Sequence, residues 1–317
     1  MNELALAAYA SETGTHFVRP PTDRRWYAHV RSFDAHRYEQ RLEASGFRFL
    51  PRSAPDFPPL LRAIHDPPVG LFLRGAGGME VLARPAVAVV GARACSGYGA
   101  SVGRRLGREL ARAGLLVVSG MARGVDAEAH RGALDGNGMT IAVLGCGIDR
   151  DYPTAHSELA RRIADACLLV SEYGPGVEPA PWRFPARNRI VAGLCAATVV
   201  VEARERSGAL ITADFALEEG REVFAVPGEI TSSLSAGTNA LLKLGASPLT
   251  SAADVLSCFG LDAESPAEPS GLLDLLPASA DELACRAGLS AAKVAKALVE
   301  LELNGAVVSH DGVYRVQ

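Results

Sequence analysis

The sequence has few lysines and no paired cysteines. Only three of its 32 basic residues are lysines, namely Lys243, Lys293 and Lys296. Any contact with phosphate would therefore be made mostly by planar guanidinium groups, which can bind it bidentately. The six cysteines are scattered, and no two have the Cys-x-x-Cys spacing. Their distribution argues against a zinc site or a disulfide framework and indicates reduced thiols.

Long apolar runs are missing as well. No stretch of the chain approaches the roughly 18 apolar residues that a membrane-spanning helix requires, and the first thirty residues lack the basic start and apolar segment of a secretory signal. We therefore expect a cytoplasmic protein without a membrane segment. The net charge of −4 gives no sign of a nucleic-acid partner, so any such site must be a local concentration of positive charge.

The sequence is rich in short runs of Val, Ile and Leu that alternate with segments of helical periodicity. These apolar runs occupy residues 86–91, 115–120, 140–147, 166–174, 197–203 and 222–228. Near-continuous hydrophobicity is typical of strands that are covered on both faces of a parallel sheet. Strand alternating with helix predicts an α/β fold with a Rossmann-like, doubly wound, mostly parallel sheet.

Four segments divide the chain. Residues 1–66 are expected to form an N-terminal extension with a small helical module, and residues 67–260 the Rossmann-like domain, beginning with an edge strand at 71–75. Residues 261–270 are polar, contain two prolines and indicate a linker. Residues 271–317 combine a capping box at a helix start, a second apolar helix and a hairpin turn at Asp311-Gly312, which together predict a winged helix.

Several arginines follow the predicted strands. In an open parallel sheet, ligands bind beyond the carboxyl ends of the strands, where helix N-termini offer free N–H groups. Arg93, Arg123, Arg187 and Arg189 are all placed near this edge by the sequence. Any one of them could be a solvated surface charge. Together they predict a crevice that binds phosphate.

Aromatic residues stand among these arginines. Trp182 and Phe184 flank Arg183, and Tyr98 lies in the loop that follows Arg93. Sites for single-stranded nucleic acid combine cations for the backbone with flat rings on which bases stack. The pattern favours such a site, although these rings could equally be packing residues.

No pattern of a cofactor, a metal or a catalytic group is present. Gly97, Gly99 and Gly103 are spaced one residue too widely for a dinucleotide-binding loop, and no group of residues has metal-ligand spacing. Asp126 and His130 are four residues apart on a predicted helix. They are either an acid–base pair or, as we favour, a cap and a helix-surface pairing that stiffens the loop around Arg123. The sequence therefore predicts a binding protein without cofactor or metal, rather than an enzyme.

Seven collinear stretches resemble the DNA-processing protein A (DprA/Smf) family: residues 87–99, 117–134, 140–153, 168–176, 184–195, 199–228 and 235–246. The run FPARNRIVAGL, followed by SGALITA and VFAVPG, is the most specific part. The resemblance implies a protein that protects incoming single-stranded DNA and loads the RecA recombinase onto it during natural transformation. It also implies a homodimer formed through the Rossmann-like domain.

The resemblance further implies which residues bind DNA. Carried over by motif, they are Arg93, Ser119, Gly120, Arg123, Phe184, Arg187, Asn188, Arg189 and Lys243. The winged helix has more acidic than basic residues, so it is a poor reader of duplex DNA, and we interpret it as a partner-contacting or accessory element. The alternative is that Lys293 and Lys296, near the start of its second helix, contact DNA weakly.

Two other functions stay open. One is a nucleotide-processing enzyme of the phosphoribohydrolase kind, although its PGG-x-GT loop is replaced here by ERSGALIT. The other is a nucleotide-sensing regulator whose winged helix transmits the response.

Overall fold

Seven parallel strands form the centre of the larger of two compact units, residues 1–261. They are β3 (Ala86–Val90), β4 (Leu116–Ser119), β5 (Thr140–Leu144), β6 (Leu168–Ser171), β7 (Ala197–Val200), β8 (Glu222–Ala225) and β9 (Ser247–Pro248). Their order is β6-β5-β4-β3-β7-β8-β9. The first six coincide with the six apolar runs, so the predicted parallel sheet is confirmed. The computed structural model describes residues 3–15, 17, 19–261, 272–273, 275–287, 291–303, 306–310 and 312–316.

Two antiparallel strands extend this sheet on the side of β6. They are β1 (Phe47–Pro51) and β2 (Gly70–Arg74), and β2 pairs with β6 on one side and with β1 on the other. The prediction that residues 71–75 form the edge strand is therefore wrong, because β1 covers them. The short alternation Phe47-Arg48-Phe49 was the available pattern for this outer strand.

Helices cover both faces of the sheet. In the larger unit they are α1 (Glu3–Thr13), α2 (Arg24–Ser32), α3 (Ala35–Ala44), α4 (Pro59–Arg62), α5 (Gly97–Arg112), α6 (Val125–Asp135), α7 (Ser157–Ala166), α8 (Arg183–Gly193), α9 (Gly208–Glu218), α10 (Ala236–Lys243) and α11 (Ala252–Cys258). Helices α8 and α9 pack against one face, and α5, α6 and α7 against the other. The sheet is doubly wound, as predicted, and α1 to α3 form the small N-terminal helical extension.

The order of the strands creates a switch point beside β3. From β3 the chain winds through β4 and β5 to β6, and then returns to place β7 on the other side of β3. The loops that follow β3 and β7 therefore diverge, which opens a crevice at the carboxyl ends of these two strands.

The smaller unit, residues 262–317, has its own apolar core. Its elements are β10 (Ala278–Ser279), α12 (Ala280–Ala287), α13 (Ala291–Leu303), β11 (Val307–His310) and β12 (Val313–Val316). The strands form an antiparallel sheet in the order β10-β12-β11. Two helices followed by a hairpin confirm the winged helix. Residues 262–270 of the predicted linker and Asp311 of the predicted hairpin lie outside the described residues.

The capping box at the start of α12 is formed as predicted. A carboxylate oxygen of Glu282 accepts hydrogen bonds from the backbone N–H and the hydroxyl of Ser279, at 2.9 and 3.1 Å. In return, the Ser279 hydroxyl oxygen accepts a bond from the Glu282 N–H at 3.4 Å. The two residues thus satisfy each other's polar groups at the point where the helix begins.

Candidate nucleic-acid interface

A cleft of about 500 Å³ opens at the switch point between β3 and β7. Its walls come from the loops after β3, β4 and β7 and from the first turns of α8 and α9. Helix α9 begins at Gly208, and its N-cap, Ser207, accepts a hydrogen bond from the N–H of Ala209 at 3.3 Å. Helix N-termini carry partial positive charge, so these walls favour an anionic ligand.

Four guanidinium groups belong to this cleft, but they are not the four that the sequence predicted. Arg93 and Arg187 line it as expected, and they are joined by Arg204 and Arg206. Arg93, Arg204 and Arg206 are exposed, whereas Arg187 is buried. Arg204 and Arg206 follow β7 within six residues, and this position beside a switch point was the pattern that could have identified them.

Arg187 forms the buried floor of the cleft. Its Nη1 donates to the backbone carbonyls of Gly120, at 2.7 Å, and of Val143, while its Nε donates to Oδ1 of Asn188 at 3.2 Å. Burial lowers the pKa of Arg187 to about 10, which leaves it charged at neutral pH. The side chain therefore fixes the ends of β4 and β5 while it keeps a positive charge beneath the cleft.

Asp126 binds the loop that follows β4. Its Oδ2 accepts hydrogen bonds from the N–H groups of Gly120 and Ala122, at 3.1 and 3.3 Å. Burial raises the pKa of this carboxyl, and the positive charge of Arg187 acts in the opposite direction. The loop-stiffening role that we favoured for the pair is thus carried by Asp126, whereas His130 bonds to Thr140 instead. The placement of the pair on the helix surface was wrong, because both Asp126 and His130 are buried.

His130 lies fully buried on α6, against the first residue of β5. Its Nδ1 is 2.7 Å from the hydroxyl oxygen of Thr140, and that hydroxyl donates to the carbonyl of Val117. The Thr140 oxygen must therefore accept, which places the proton of the neutral imidazole on Nδ1. Burial, reinforced by the charge of Arg187, lowers the pKa of His130 to about 3.

The buried neutral imidazole predicts acid sensitivity. Because the folded pKa of about 3 lies below the ordinary value of 6.5, protons bind the unfolded chain first, and stability is lost as the pH falls below 6.5. The contribution lost by pH 5 is about 2 kcal/mol. Replacing His130 with Gln should remove most of this loss, as measured by urea unfolding at pH 7 and pH 5. The same change at the exposed His65 should leave the pH dependence as it is in the parent.

Three of the predicted site residues lie away from the cleft walls. Arg189, two residues after Arg187 on α8, projects to the other side of that helix. It binds the carboxylate of Glu172 at 2.7 and 2.8 Å and that of Asp66 at 3.0 Å. Ser119 is fully buried, and its hydroxyl donates to the carbonyl of Val89 at 2.7 Å. Lys243 is exposed in the last turn of α10.

The other predicted residues lie at the cleft or beside it. Gly120 lines it, and so does Asn188, whose side-chain amide donates to the carbonyl of Gly208 at 3.0 Å. This bond connects the middle of α8 to the first residue of α9. Arg123 is exposed in the same loop as Ala122, which lines the cleft. Of the four arginines predicted to converge, Arg93 and Arg187 line the cleft, and Arg123 lies on the adjoining loop. Arg189 lies away from the cleft walls.

The N-terminus of α5, where a dinucleotide's pyrophosphate would bind in a related fold, is occupied by a carboxylate of the protein itself. Glu202, which follows β7, accepts hydrogen bonds from the backbone N–H and the hydroxyl of Ser96, at 2.9 and 2.5 Å. A methyl group at Gly99 would lie 2.3 Å from Oε2 of Glu202. The negative charge and the close fit disfavour a phosphate at this position.

Phe184 lies at the start of α8, between an arginine and a tyrosine. The guanidinium carbon of Arg93 is 5.5 Å from its ring centroid, and the ring of Tyr152 stacks on it at 5.3 Å with 24° between the planes. Gly145 lies under the ring, because a methyl group there would be 2.7 Å from Cδ1 of Phe184. Tyr152 was not among the residues predicted from the sequence.

The described residues contain neither a metal-binding cluster nor a membrane-spanning helix. Within the part of the chain that the structure describes, no cluster of three or more His, Cys, Asp or Glu side chains is arranged to hold a metal. Among the helices described, none has both the length and the apolar character needed to cross a bilayer.

The fold and the cleft define a Rossmann-like protein whose arginine-lined cleft lies at the topological switch point, followed in sequence by a winged helix. Comparison with known families gives the particular family. The model of DNA recombination-mediator protein A matches residues 48–260, and that of the DprA winged helix domain matches residues 262–313. The chain belongs to the DNA-processing protein A (DprA/Smf) family, whose role is DNA processing as a recombination mediator.

Curated relatives and solved structures agree with this assignment. The DNA processing protein DprA of Streptococcus pneumoniae is 49% identical over 199 residues, which cover 63% of this chain and 70% of that protein. Protein Smf of Escherichia coli is 40% identical over 294 residues, covering 86% of this chain and 78% of that protein. The X-ray structure of DNA processing protein A from S. pneumoniae superimposes with a TM-score of 0.69 and 38% identity, covering 81% of this chain and 93% of that one.

A second solved relative is described by its binding of single-stranded DNA. The structure of DNA processing protein A from Helicobacter pylori, determined to describe its single-stranded DNA binding mode, gives a TM-score of 0.61 and 31% identity. It covers 67% of this chain and 95% of that chain.

Proposed function

We propose that this protein binds single-stranded DNA in the cleft between β3 and β7, as a mediator of recombination and not as an enzyme. The observation that carries the proposal is the set of three exposed arginines, Arg93, Arg204 and Arg206, around the buried Arg187. These groups can bind successive phosphates without reading the bases. The net charge of the chain is negative, so their concentration in one cleft is a local feature.

The aromatic residues beside the cleft favour a single strand over a duplex. The ring of Phe184 contacts Arg93 and Tyr152, and Tyr152 is exposed. A base can stack on a protein ring only when it is free of its complementary strand. The H. pylori relative, described by its single-stranded DNA binding mode, supports the same choice.

The finer parts of the proposal rest on the family. We infer that the protein acts in the cytoplasm, protects single-stranded DNA that enters the cell, and loads the RecA recombinase onto it. We further infer a homodimer formed through the Rossmann-like domain. Lys243 remains a candidate for DNA contact outside the cleft, since it is exposed on α10.

The test is a titration of a fluorescently labelled oligothymidylate, and of a duplex of the same length, at two salt concentrations. We expect the single strand to bind more tightly and its affinity to fall with salt, because arginines displace counterions from the phosphates. Replacing both Arg93 and Arg206 with Ala should weaken binding about tenfold or more and reduce the dependence on salt by about two released counterions.

Arg112 provides the matched control. It is exposed in the last turn of α5, at the end of that helix opposite to the cleft. Replacing it with Ala removes the same kind of charge, and we expect no more than a twofold loss of affinity. Equal losses for the Arg112 variant and for a single Arg93 variant would show that net charge, and not the cleft, determines binding.

A further inference from the structure

We propose that Tyr152 is the residue on which a base of the single strand stacks, with Phe184 as its support. This inference rests on the proposed function and assigns a stacking site outside the cleft. Phe184 is only half-buried but is contacted by Arg93, Gly145 and Tyr152. The ring of Tyr152 is 43% exposed. It is therefore the outer ring of the stack and the one that an incoming base would meet.

The loop that carries Tyr152 is held in place at both sides. Asp151 forms an ion pair with Arg74 of β2. Asp149 accepts a hydrogen bond from the N–H of Gly176 at 2.9 Å, and Arg150 pairs with Glu178 at 2.7 Å. A ring on a loop fixed in this way loses little conformational freedom when a base stacks on it, which favours binding.

The backbone of the same loop is paired with the segment that follows β6. The N–H of Gly147 donates to the carbonyl of Val177 at 2.8 Å, and the N–H of Ile148 donates to that of Tyr173 at 3.2 Å. A side chain at Gly147 would collide with the carbonyl of Gly174 at 2.8 Å. Gly145 therefore leaves room for the Phe184 ring, and Gly147 allows the loop backbone to lie close to the carbonyl of Gly174.

The position of Tyr152 also indicates the path that the single-stranded DNA would take from the cleft. Arg93 lines the cleft and contacts Phe184, which in turn contacts Tyr152. These three side chains form a continuous path from the ends of β3 and β7 to the loop after β5. Phosphates held by the arginines of the cleft would thus place the next bases over the Tyr152 ring, where stacking and phosphate contact act together.

The experiment uses the full chain and an oligothymidylate in which one thymine is replaced by 2-aminopurine, whose fluorescence is quenched by stacking. Across a series of substituted positions, the parent should quench at least one position on binding. Replacing Tyr152 with Leu should abolish that quenching and weaken binding roughly tenfold. Replacing it with Phe should preserve both, because the ring and not the hydroxyl does the stacking.

An abasic oligonucleotide separates loss of stacking from damage to the loop. With an abasic site at the quenched position, the parent and the Tyr152→Leu variant should bind equally, since no base is left to stack. Tyr27, which is 51% exposed on α2, gives the matched control, and its replacement with Leu should leave quenching and affinity unchanged. Melting temperatures of all variants show whether the fold is intact.

Each outcome of this experiment decides between the hypotheses. A Tyr152→Leu variant that binds and quenches like a DNA-binding parent would overturn the stacking assignment alone. The same holds if quenching is lost only on replacement of Trp182, the other exposed ring near α8, or if the Tyr152→Leu variant is equally weakened on abasic DNA. A parent that binds no single-stranded DNA would overturn the proposed function, and this assignment with it.

Discussion

The free energy of unfolding of residues 1–261 should fall by about 3–5 kcal/mol when Arg187 is replaced with Ala. The guanidinium is buried and donates to the carbonyls of Gly120 and Val143. Its removal leaves these acceptors without a donor and takes away the positive charge that lowers the pKa of the buried Asp126. For a unit of this size the melting temperature should drop by roughly 10 °C. DNA binding should weaken as well, since the charge beneath the cleft disappears.

The pH dependence of the stability lost in the Arg187→Ala variant shows whether the carboxyl of Asp126 is its cause. Burial already raises the pKa of Asp126 in the folded protein, and without Arg187 it rises further. A carboxyl with a raised folded pKa keeps its proton in the folded chain after the unfolded chain has lost it. It therefore destabilises the fold increasingly as the pH rises from the unfolded pKa of about 4 to the folded pKa, and the loss is constant above that. The difference in stability between parent and variant should therefore be largest at neutral and alkaline pH and should shrink as the pH is lowered. Urea unfolding across this range measures it.

Two companion variants test the same account. Adding Asp126→Asn to the Arg187→Ala variant should recover part of the lost stability and flatten its pH dependence, because no buried carboxylate is left uncompensated. Arg206 lies at the same cleft but is exposed, and its replacement with Ala should change stability by less than about 0.5 kcal/mol. An Arg187→Ala variant as stable as the parent would show that the guanidinium is not needed for the fold.

The parallel sheet was predictable from the sequence because its strands are buried on both faces. Such strands are almost wholly apolar, as in the run 86–91, and their alternate residues enter cores on opposite sides of the sheet. Strand β1 was missed because it is only five residues long and has a single polar residue, Arg48, between two apolar ones. So short a pattern between helical segments is ambiguous without its partner strand.

The edge of the sheet at which the cleft opens was also predictable, but the direction of each arginine was not. Position along the chain places Arg187 and Arg189 at the start of the same helix, and only the rotation of about 100° per residue separates the cleft side from the Glu172 side. The role of each guanidinium is determined by the polar groups that it meets in the folded chain. Arg189 meets a carboxylate and forms an ion pair, whereas Arg187 meets backbone carbonyls beneath an open cleft.

Replacing Gly132 with Ala should have a comparably large effect on the fold. Gly132 on α6 packs against the backbone of α5, and a methyl group there would lie 2.0 Å from the carbonyl oxygen of Arg104. Gly107 on α5 makes the reciprocal contact, since a methyl group there would lie 2.2 Å from the carbonyl oxygen of Ala129. The obstructing atoms belong to the backbone of a neighbouring helix. The two helices would have to separate along their length, at a cost of about 3 kcal/mol or more.

A second glycine-to-alanine change, on α5, is the control that shows whether the clash between the two helices causes the loss of stability. Gly97 begins α5, and a methyl group there would meet no atom within 4 Å. Its replacement with Ala should leave the stability unchanged or raise it by about 0.5 kcal/mol, since alanine favours the helix. Thermal unfolding of both variants gives the comparison.

Because α5 and α6 carry the loops after β3 and β4, their separation should also displace Arg93 and Gly120. The Gly132 variant should then lose DNA affinity even at temperatures where it is folded, and equal affinity of the two variants would refute a link between this helix contact and the cleft.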